Sequence, residues 1–208
     1  LFQRGQYQAA LRQFQEANYT DPNDADSYYN LAATYHRIGL LEKRDADLRQ
    51  AEDYYNQCLD KQPNHRDCYR GLAVLLAEQG RTEQAFRLLQ GWVDRQPQLA
   101  DARVELARLY EEFGDQAAAK DHLTEALKLD PNNARALAAL GKIREKMGDR
   151  DQALADYQRS LWHDPSQTQV AARVAALRST NGSGTAGPTA PTTGDGARLV
   201  ERTSPAAR

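Results

Sequence analysis

Residues 100–133, ADARVELARLYEEFGDQAAAKDHLTEALKLDPNN, contain the pattern that decides the fold of this chain. Spacings of three and four residues place Ala119, Leu123 and Ala126 on one face of a helix. Before them, Gly114 favours the end of an earlier helix, because glycine adopts a left-handed backbone at no steric cost. After them, Pro131 cannot continue a helix. The stretch therefore predicts two antiparallel helices.

The same pattern recurs along most of the chain. Five prolines stand at Pro22, Pro63, Pro97, Pro131 and Pro165, and the last three intervals are 34 residues whereas the first is 41. An alanine occurs twelve residues before each proline, and a large apolar residue occurs eight before it. One helix hairpin buries too little apolar surface to be stable alone, so neighbouring hairpins must stack. We predict an all-α solenoid.

This series of residues resembles the tetratricopeptide repeat. The resemblance implies a right-handed superhelix of antiparallel helix pairs, whose first helices line a concave groove that holds peptides or partner proteins. It divides residues 1–167 into the second helix of a truncated first repeat (1–24), a repeat with a seven-residue insertion (25–65) and three repeats (66–99, 100–133 and 134–167). Beyond them, apolar residues on one side of a helix predict a C-terminal capping helix (168–179), and a composition rich in small and polar residues predicts a disordered tail or linker (180–208).

The insertion in the long repeat lies between Gly39 and Ala51. Because seven residues make nearly two helical turns, we expect a longer second helix, from about Leu41 to Lys61, that protrudes beyond its neighbours. The extension is either a docking site or a solvated extension, and its charged composition favours the second.

Two cysteines, Cys58 and Cys68, lie five residues on either side of Pro63 and face one another across a predicted turn. This symmetry allows a disulfide, but we expect two buried thiols. The spacing of the pair matches no usual zinc site.

Trp92 departs from the pattern in a different way. It occupies a position that holds Ala17, Cys58, Ala126 or Ser160 in the other repeats. We expect a local rearrangement of the core around it.

Charge and composition exclude several classes of function. The chain has 27 basic and 29 acidic residues, and its acids are interleaved with its arginines, so we expect no nucleic-acid partner. No stretch of roughly 18 apolar residues predicts a membrane helix. The histidines are scattered over different repeats and no nucleotide-binding motif is present, so we expect no metal, no cofactor and no enzymatic activity.

The groove is therefore the candidate site. From the resemblance, we expect acidic residues to dominate its middle and basic residues its last repeat, with Tyr29 and Val74 contacting an apolar side chain and Arg108 and Lys142 binding a carboxylate. The candidate partner contacts are Tyr29, Asn30, His36, Arg37, Arg70, Val74, Val104, Glu105, Arg108 and Lys142. The predicted function is a non-catalytic protein- or peptide-binding scaffold or adaptor. The alternatives are a self-assembly module that forms homo-oligomers through the incomplete N-terminal repeat, and the repeat region of a larger enzyme.

Overall fold

The computed structural model describes residues 6–182, without the side chains of residues 180–182, and this part of the chain contains ten α-helices and no strand. The helices are α1 (Tyr7–Thr20), α2 (Ala25–Glu42), α3 (Asp45–Lys61), α4 (Arg66–Glu78), α5 (Thr82–Arg95), α6 (Ala100–Glu112), α7 (Gln116–Leu129), α8 (Ala134–Lys146), α9 (Arg150–His163) and α10 (Thr168–Gly182). Each helix packs mainly on the helices next to it in sequence. The predicted all-α repeat solenoid is confirmed.

The helix ends follow the repeat pattern. Gly80, Gly114 and Gly148 have φ angles of 74°, 86° and 90°, in the left-handed region that glycine favours. The side chains of Asp115 and Asn133 accept hydrogen bonds from backbone N–H groups in the first turns of α7 and α8. The turns between helices are therefore determined by local sequence.

The long repeat differs from the prediction, because the extra residues lengthen both of its helices. α2 has 18 residues where α4 has 13, and α3 has 17 where α5 has 14. Gly39 does not end α2. It lies buried within the helix, where an added Cβ would come within 2.6 Å of the Leu48 side chain on α3. Lys43 ends α2 instead, with a left-handed φ of 53°. The expected single long helix from Leu41 to Lys61 was wrong.

Apolar side chains form three consecutive clusters along the solenoid. The first spans α2 to α6 and contains Tyr55 and the Trp92 side chain, which is fully buried. The indole stacks on Tyr69 with 4.1 Å between ring centroids and 7° between planes, and its Nε1 donates to Asn64 Oδ1 at 3.2 Å. Stacking on an aromatic side chain of the same hairpin explains how this repeat accommodates a tryptophan.

Cys58 and Cys68 form a disulfide, so the expectation of two free thiols was wrong. Their Cα atoms are 6.5 Å apart, within the range that a disulfide spans. Cys58 lies on α3 and Cys68 on α4, and both are fully buried. The bond therefore joins the second helix of one repeat to the first helix of the next.

The last helix covers the C-terminal end of the solenoid. Val174 and Leu177 of α10 are buried against Ala153 and Tyr157 of α9. The helix runs to Gly182, three residues beyond the predicted end at Ser179. The rest of the predicted tail, residues 183–208, lies outside the described residues.

Candidate partner-binding groove

The first helices of successive hairpins form the inner side of the solenoid. α2, α4, α6 and α8 approach one another in turn, more closely than the second helices do, and a curved stack is tightest on its concave side. The predicted contacts lie on these four helices: Tyr29, Asn30, His36 and Arg37 on α2, Arg70 and Val74 on α4, Val104, Glu105 and Arg108 on α6, and Lys142 on α8.

A small depression lies at the centre of this surface, between α4 and α6. It brings together four of the predicted contacts, Arg70, Val74, Glu105 and Arg108. The side chain of Glu105 is only 3 % exposed and lies 3.0 Å from Arg135 Nη1 and 3.7 Å from Arg108 Nη1. Burial raises the pKa of Glu105, and the surrounding arginines oppose that rise. The expected acidic middle of the groove is therefore a carboxylate surrounded by cations.

Arg70 and Arg108 have donors to spare in this depression. Arg70 is exposed and makes no hydrogen bond or ion pair with any described residue. Nη1 of Arg108 is buried and donates no hydrogen bond to the described part of the chain. We call these two residues the arginine pair. Arg70 is thus open to a ligand placed in the depression. Nη1 of Arg108 is paired with Glu105, and the exposed remainder of that side chain borders the depression.

A wider cleft of about 850 Å³ continues the surface toward α8 and α10. Arg108 and Lys142 border it, and its apolar lining includes four small side chains, Ala138, Ala139, Val170 and Ala172. A further space of about 400 Å³, lined by Val74, Arg108 and Lys142 among others, connects the cleft with the depression. The groove is thus continuous from α4 to α10.

One glutamate, Glu111, already forms ion pairs with both lysines of the cleft. Lys142 Nζ lies 2.9 Å from Glu111 Oε1, and Lys146 Nζ lies 2.7 Å from the same oxygen. Partial burial pushes the pKa of Glu111 upward, but hydrogen bonds from Lys146 and Lys142 outweigh it and hold that pKa below its ordinary value. Lys142 is therefore a partner of Glu111 in the free protein, which the sequence did not indicate.

The capping helix adds residues to the groove that sequence reasoning missed. Val170 and Arg173 of α10 line the cleft, and Arg173 forms an ion pair with Glu145 of α8. The hydrogen bond from Arg173 holds the pKa of Glu145 below its ordinary value. The only sequence signal was the amphipathic pattern of α10, which predicted its role as a cap but not the orientation of its polar face.

The contacts predicted on α2 lie outside these three cavities and bond to neighbouring helices. His36 is buried, and its Nε2 is 2.7 Å from Glu78 Oε2 on α4. Arg37 Nε donates to the Tyr7 hydroxyl at 3.4 Å. Tyr29 is half-buried and stacks on His65, with 5.7 Å between ring centroids.

Of the two remaining predicted contacts, Val104 is buried and Asn30 is partly exposed. Val104 is 3 % exposed and belongs to the apolar cluster between α6 and α8, so its side chain faces the core. Asn30 is partly exposed on α2, and its carbonyl accepts the Thr34 hydroxyl at 2.7 Å.

One group of three metal-binding side chains occurs within residues 6–182. It consists of Cys58, His65 and Cys68 at the turn between α3 and α4, outside the three cavities described above. None of the helices in the described part of the chain is long and apolar enough to cross a membrane.

Comparison with known proteins identifies the repeats. Family models described as TPR repeat or tetratricopeptide repeat match residues 1–39, 25–57, 44–108, 100–143 and 136–171. A search of curated protein sequences found no match.

Three solved structures are similar to this chain. A thermophilic TPR protein from Thermus thermophilus is 26 % identical, with 86 % of this chain and 93 % of that chain covered and a TM-score of 0.63. MamA is 21 % identical over 80 % of this chain and 94 % of that chain, with a TM-score of 0.48. YrrB, described as a TPR protein with an unusual peptide-binding site, is 19 % identical over 83 % and 85 %, with a TM-score of 0.47. From the matching repeats and the helical stack, the chain belongs to the tetratricopeptide-repeat superfamily, whose members typically serve as non-catalytic scaffolds for protein interactions.

Proposed function

We propose that the protein is a non-catalytic adaptor that binds an extended segment of a partner protein in the groove from α4 to α10, with a carboxylate of that segment held by the arginine pair. The observation that carries this proposal is that one depression is bordered by the exposed Arg70, which has no hydrogen bond or ion pair with the described residues, and by the partly exposed Arg108. A guanidinium donates two parallel hydrogen bonds to a carboxylate, and such charge-assisted bonds are about twice as strong as neutral ones.

The buried carboxylate in the depression does not compete strongly with a ligand. Glu105 is bonded to Arg135, which also pairs with Asp101. Arg135 is the nearest donor to Glu105, and Arg108 lies farther from it, at 3.7 Å. Arg70 and the exposed part of Arg108 therefore remain for the ligand, beside a second acid of the depression, Glu112. This arrangement favours an incoming acid over an incoming base.

The rest of the groove sets the composition of the segment. Ala138, Ala139 and Val170 leave room for small apolar side chains in the cleft. Lys142 remains bonded to Glu111 and serves as the border of the cleft. The best ligand has one Asp or Glu followed by small apolar residues.

Among the other predicted contacts, we propose that Tyr29, Asn30 and Arg37 extend the groove along α2 for a longer ligand. His36 and Val104 are 8 % and 3 % exposed, so we assign them a supporting role in which they hold α2 and α6 in place.

Synthetic peptides provide the test. Fluorescent alanine-rich peptides that contain a single Asp or Glu are titrated against the protein, each beside a twin with Asn or Gln at the same position. We expect the acidic peptides to bind about tenfold more tightly, because hydrogen bonds to a charged group contribute about 1.5–3 kcal/mol.

Substitutions test whether the arginine pair causes the preference for acidic peptides. Arg70→Gln combined with Arg108→Gln is expected to remove the preference for acid while helical content by circular dichroism stays the same. Arg87→Gln, at an exposed arginine of α5, is the matched control and should keep the preference. Equal binding of acidic and amide peptides, or a preference that survives the double substitution, contradicts the proposal.

A second candidate function is self-association through α1 at the N-terminal end. Tyr19 of α1 is 88 % exposed, so this end of the solenoid presents an aromatic side chain that a second copy could cover. Light scattering over a range of concentrations separates the two functions. A constant mass of 23.3 kDa argues against self-association, and a mass that rises with concentration and is restored to the monomer by Tyr19→Lys supports it.

A further inference from the structure

Cys58, His65 and Cys68 form a buried cluster at the joint between α3 and α4. One donor atom from each lies within 4.8 Å of the donors of the other two. Both cysteines are fully buried and His65 is 7 % exposed. We propose that this cluster binds Zn²⁺ when the Cys58–Cys68 disulfide is reduced, so that the joint has two alternative cross-links, a disulfide and a metal ion.

The orientation of His65 is the first argument. Its Nε2 lies 2.9 Å from Asp26 Oδ1, and its Nδ1 lies 3.2 Å from the backbone nitrogen of Cys68. Because Nδ1 accepts the Cys68 N–H, it carries the lone pair, and Nε2–H donates to Asp26. Histidine ligands of zinc commonly donate their second N–H to a carboxylate, which fixes the ring and makes the other nitrogen more basic. Asp26 already supplies that partner.

The position of the sulfurs is the second argument. Zn–S bonds are about 2.3 Å and Zn–N bonds about 2.0–2.1 Å, so ligand atoms around a tetrahedral zinc lie roughly 3.4–3.8 Å apart. The three donors here already lie within 4.8 Å of one another, and the two sulfurs separate once the bond between them breaks. Cys68 is the third residue of α4, where the positive end of the helix favours a thiolate.

A thiol reductant converts the disulfide form into the form that binds zinc. Two reductant thiols become one reductant disulfide, and Cys58 and Cys68 become two thiols. Zn²⁺ then replaces the two thiol protons, which pass to solvent. The Nδ1 lone pair of His65 turns from the Cys68 N–H to the ion, so that hydrogen bond is exchanged for the metal bond. The cluster provides three ligands, and water completes the usual set of four.

The site lies where residues of three helices meet. His65 caps α4, Asp26 belongs to α2, and Cys58 belongs to α3. A metal at this position bonds to residues of α3 and of the start of α4, and the His65 ring links it to Asp26 of α2. The disulfide connects only α3 and α4.

The test uses the full chain in both redox states. Protein reduced with a dithiol, then freed of reductant under anaerobic conditions, is titrated with Zn²⁺ by calorimetry, and with Co²⁺ to detect sulfur-to-metal charge-transfer absorption. We expect one ion per chain for the reduced protein and none for the oxidised protein.

Three variants separate a built site from adventitious binding. His65→Asn keeps an acceptor for the first turn of α4 but removes the imidazole, and Cys58→Ser with Cys68→Ser removes both sulfurs. Both are expected to abolish stoichiometric binding. Asp26→Asn should weaken binding about 10–100-fold, the usual effect of losing the carboxylate behind a histidine ligand. His163→Asn, at an exposed histidine of α9, is the matched control and should leave binding unchanged.

If the reduced protein loses helical structure, circular dichroism provides a second measurement of zinc binding. In that case Zn²⁺ must restore the helical signal of the wild type and fail to restore that of His65→Asn. Reduced protein that binds no Zn²⁺, or that binds it equally well with asparagine at position 65, overturns the proposal.

Discussion

The chain packs the same helix hairpin differently on the two sides of residue 100. In the N-terminal half (α2–α5) the core contains buried aromatic rings, and a disulfide joins α3 to α4. Tyr55 and Tyr69 are each less than 5 % exposed, and Trp92 is fully buried. Stability in this half depends on large apolar contacts and one covalent bond.

The C-terminal half (α6–α9) has smaller core residues, apart from the buried Tyr157 of α9, and more ion pairs between helices. The cluster between α6 and α8 consists of alanine, valine, leucine and isoleucine. Arg135 joins α8 to Asp101 and Glu105 of α6, and Arg144 Nη1 lies 2.6 Å from Asp156 Oδ2 of α9. The comparison teaches that the repeat pattern fixes where helices run but allows two kinds of contact to hold them together.

The largest expected loss of stability comes from a substitution in the N-terminal half. We expect Trp92→Ala to lower the free energy of unfolding by about 3–5 kcal/mol, because the indole is fully buried and its loss leaves a cavity against Tyr69. Denaturant unfolding followed by circular dichroism measures the change. Trp162→Ala is the control, since that side chain is 84 % exposed and should cost less than about 0.5 kcal/mol. Equal effects of the two substitutions would show that the stacked pair is not a stabilising contact.

The next effect removes the covalent bond. We expect reduction of the disulfide, in the presence of a chelator, to lower the free energy of unfolding by about 2–3 kcal/mol, because the bond closes a loop of only some ten residues. Hydrogen exchange should speed up in α3 and α4 and stay unchanged in α7 and α8. Faster exchange across both halves would mean that the joint stabilises the whole solenoid as one unit.

The smallest effect tests the ion pairs of the C-terminal half. We expect Arg135→Met to lower the free energy of unfolding by about 1–3 kcal/mol, because the buried carboxylate of Glu105 loses its nearest donor. Lys128→Met is the matched control, since it breaks an exposed pair with Glu125 and should leave the stability almost unchanged. Thermal unfolding of both variants at equal salt measures the difference in stability. If reduction of the disulfide and Arg135→Met destabilise the same helices, the two halves are not held together by different kinds of contact.

Repeat register predicted part of the groove. Arg70 and Arg108 were assigned from their places on the first helices, and the structure brings both into one depression with Val74 and Glu105. Register did not indicate that Lys142 is bonded to Glu111 or that Arg173 of α10 borders the cleft. Those contacts depend on side-chain conformation and on how the last helix docks, neither of which follows from residue spacing.

The cluster of Cys58, His65 and Cys68 was likewise visible only in the structure. The spacing of Cys58 and Cys68 matches no usual metal site, and His65 alone carried no signal. The turn at Pro63 reverses the chain, so that residues of two helices and the cap between them meet within a few ångströms.

The sequence by itself determined the helix hairpins, their period and their stacking, because alanine, leucine, glycine and proline at fixed spacings act through local backbone geometry and a shared apolar face. Only the tertiary structure decided how the seven extra residues were divided between α2 and α3, how Trp92 was accommodated and which charges remained free for a ligand. Those outcomes depend on contacts between side chains from different helices. Such contacts are set by the space that neighbouring repeats leave, and the periodic pattern does not encode that space.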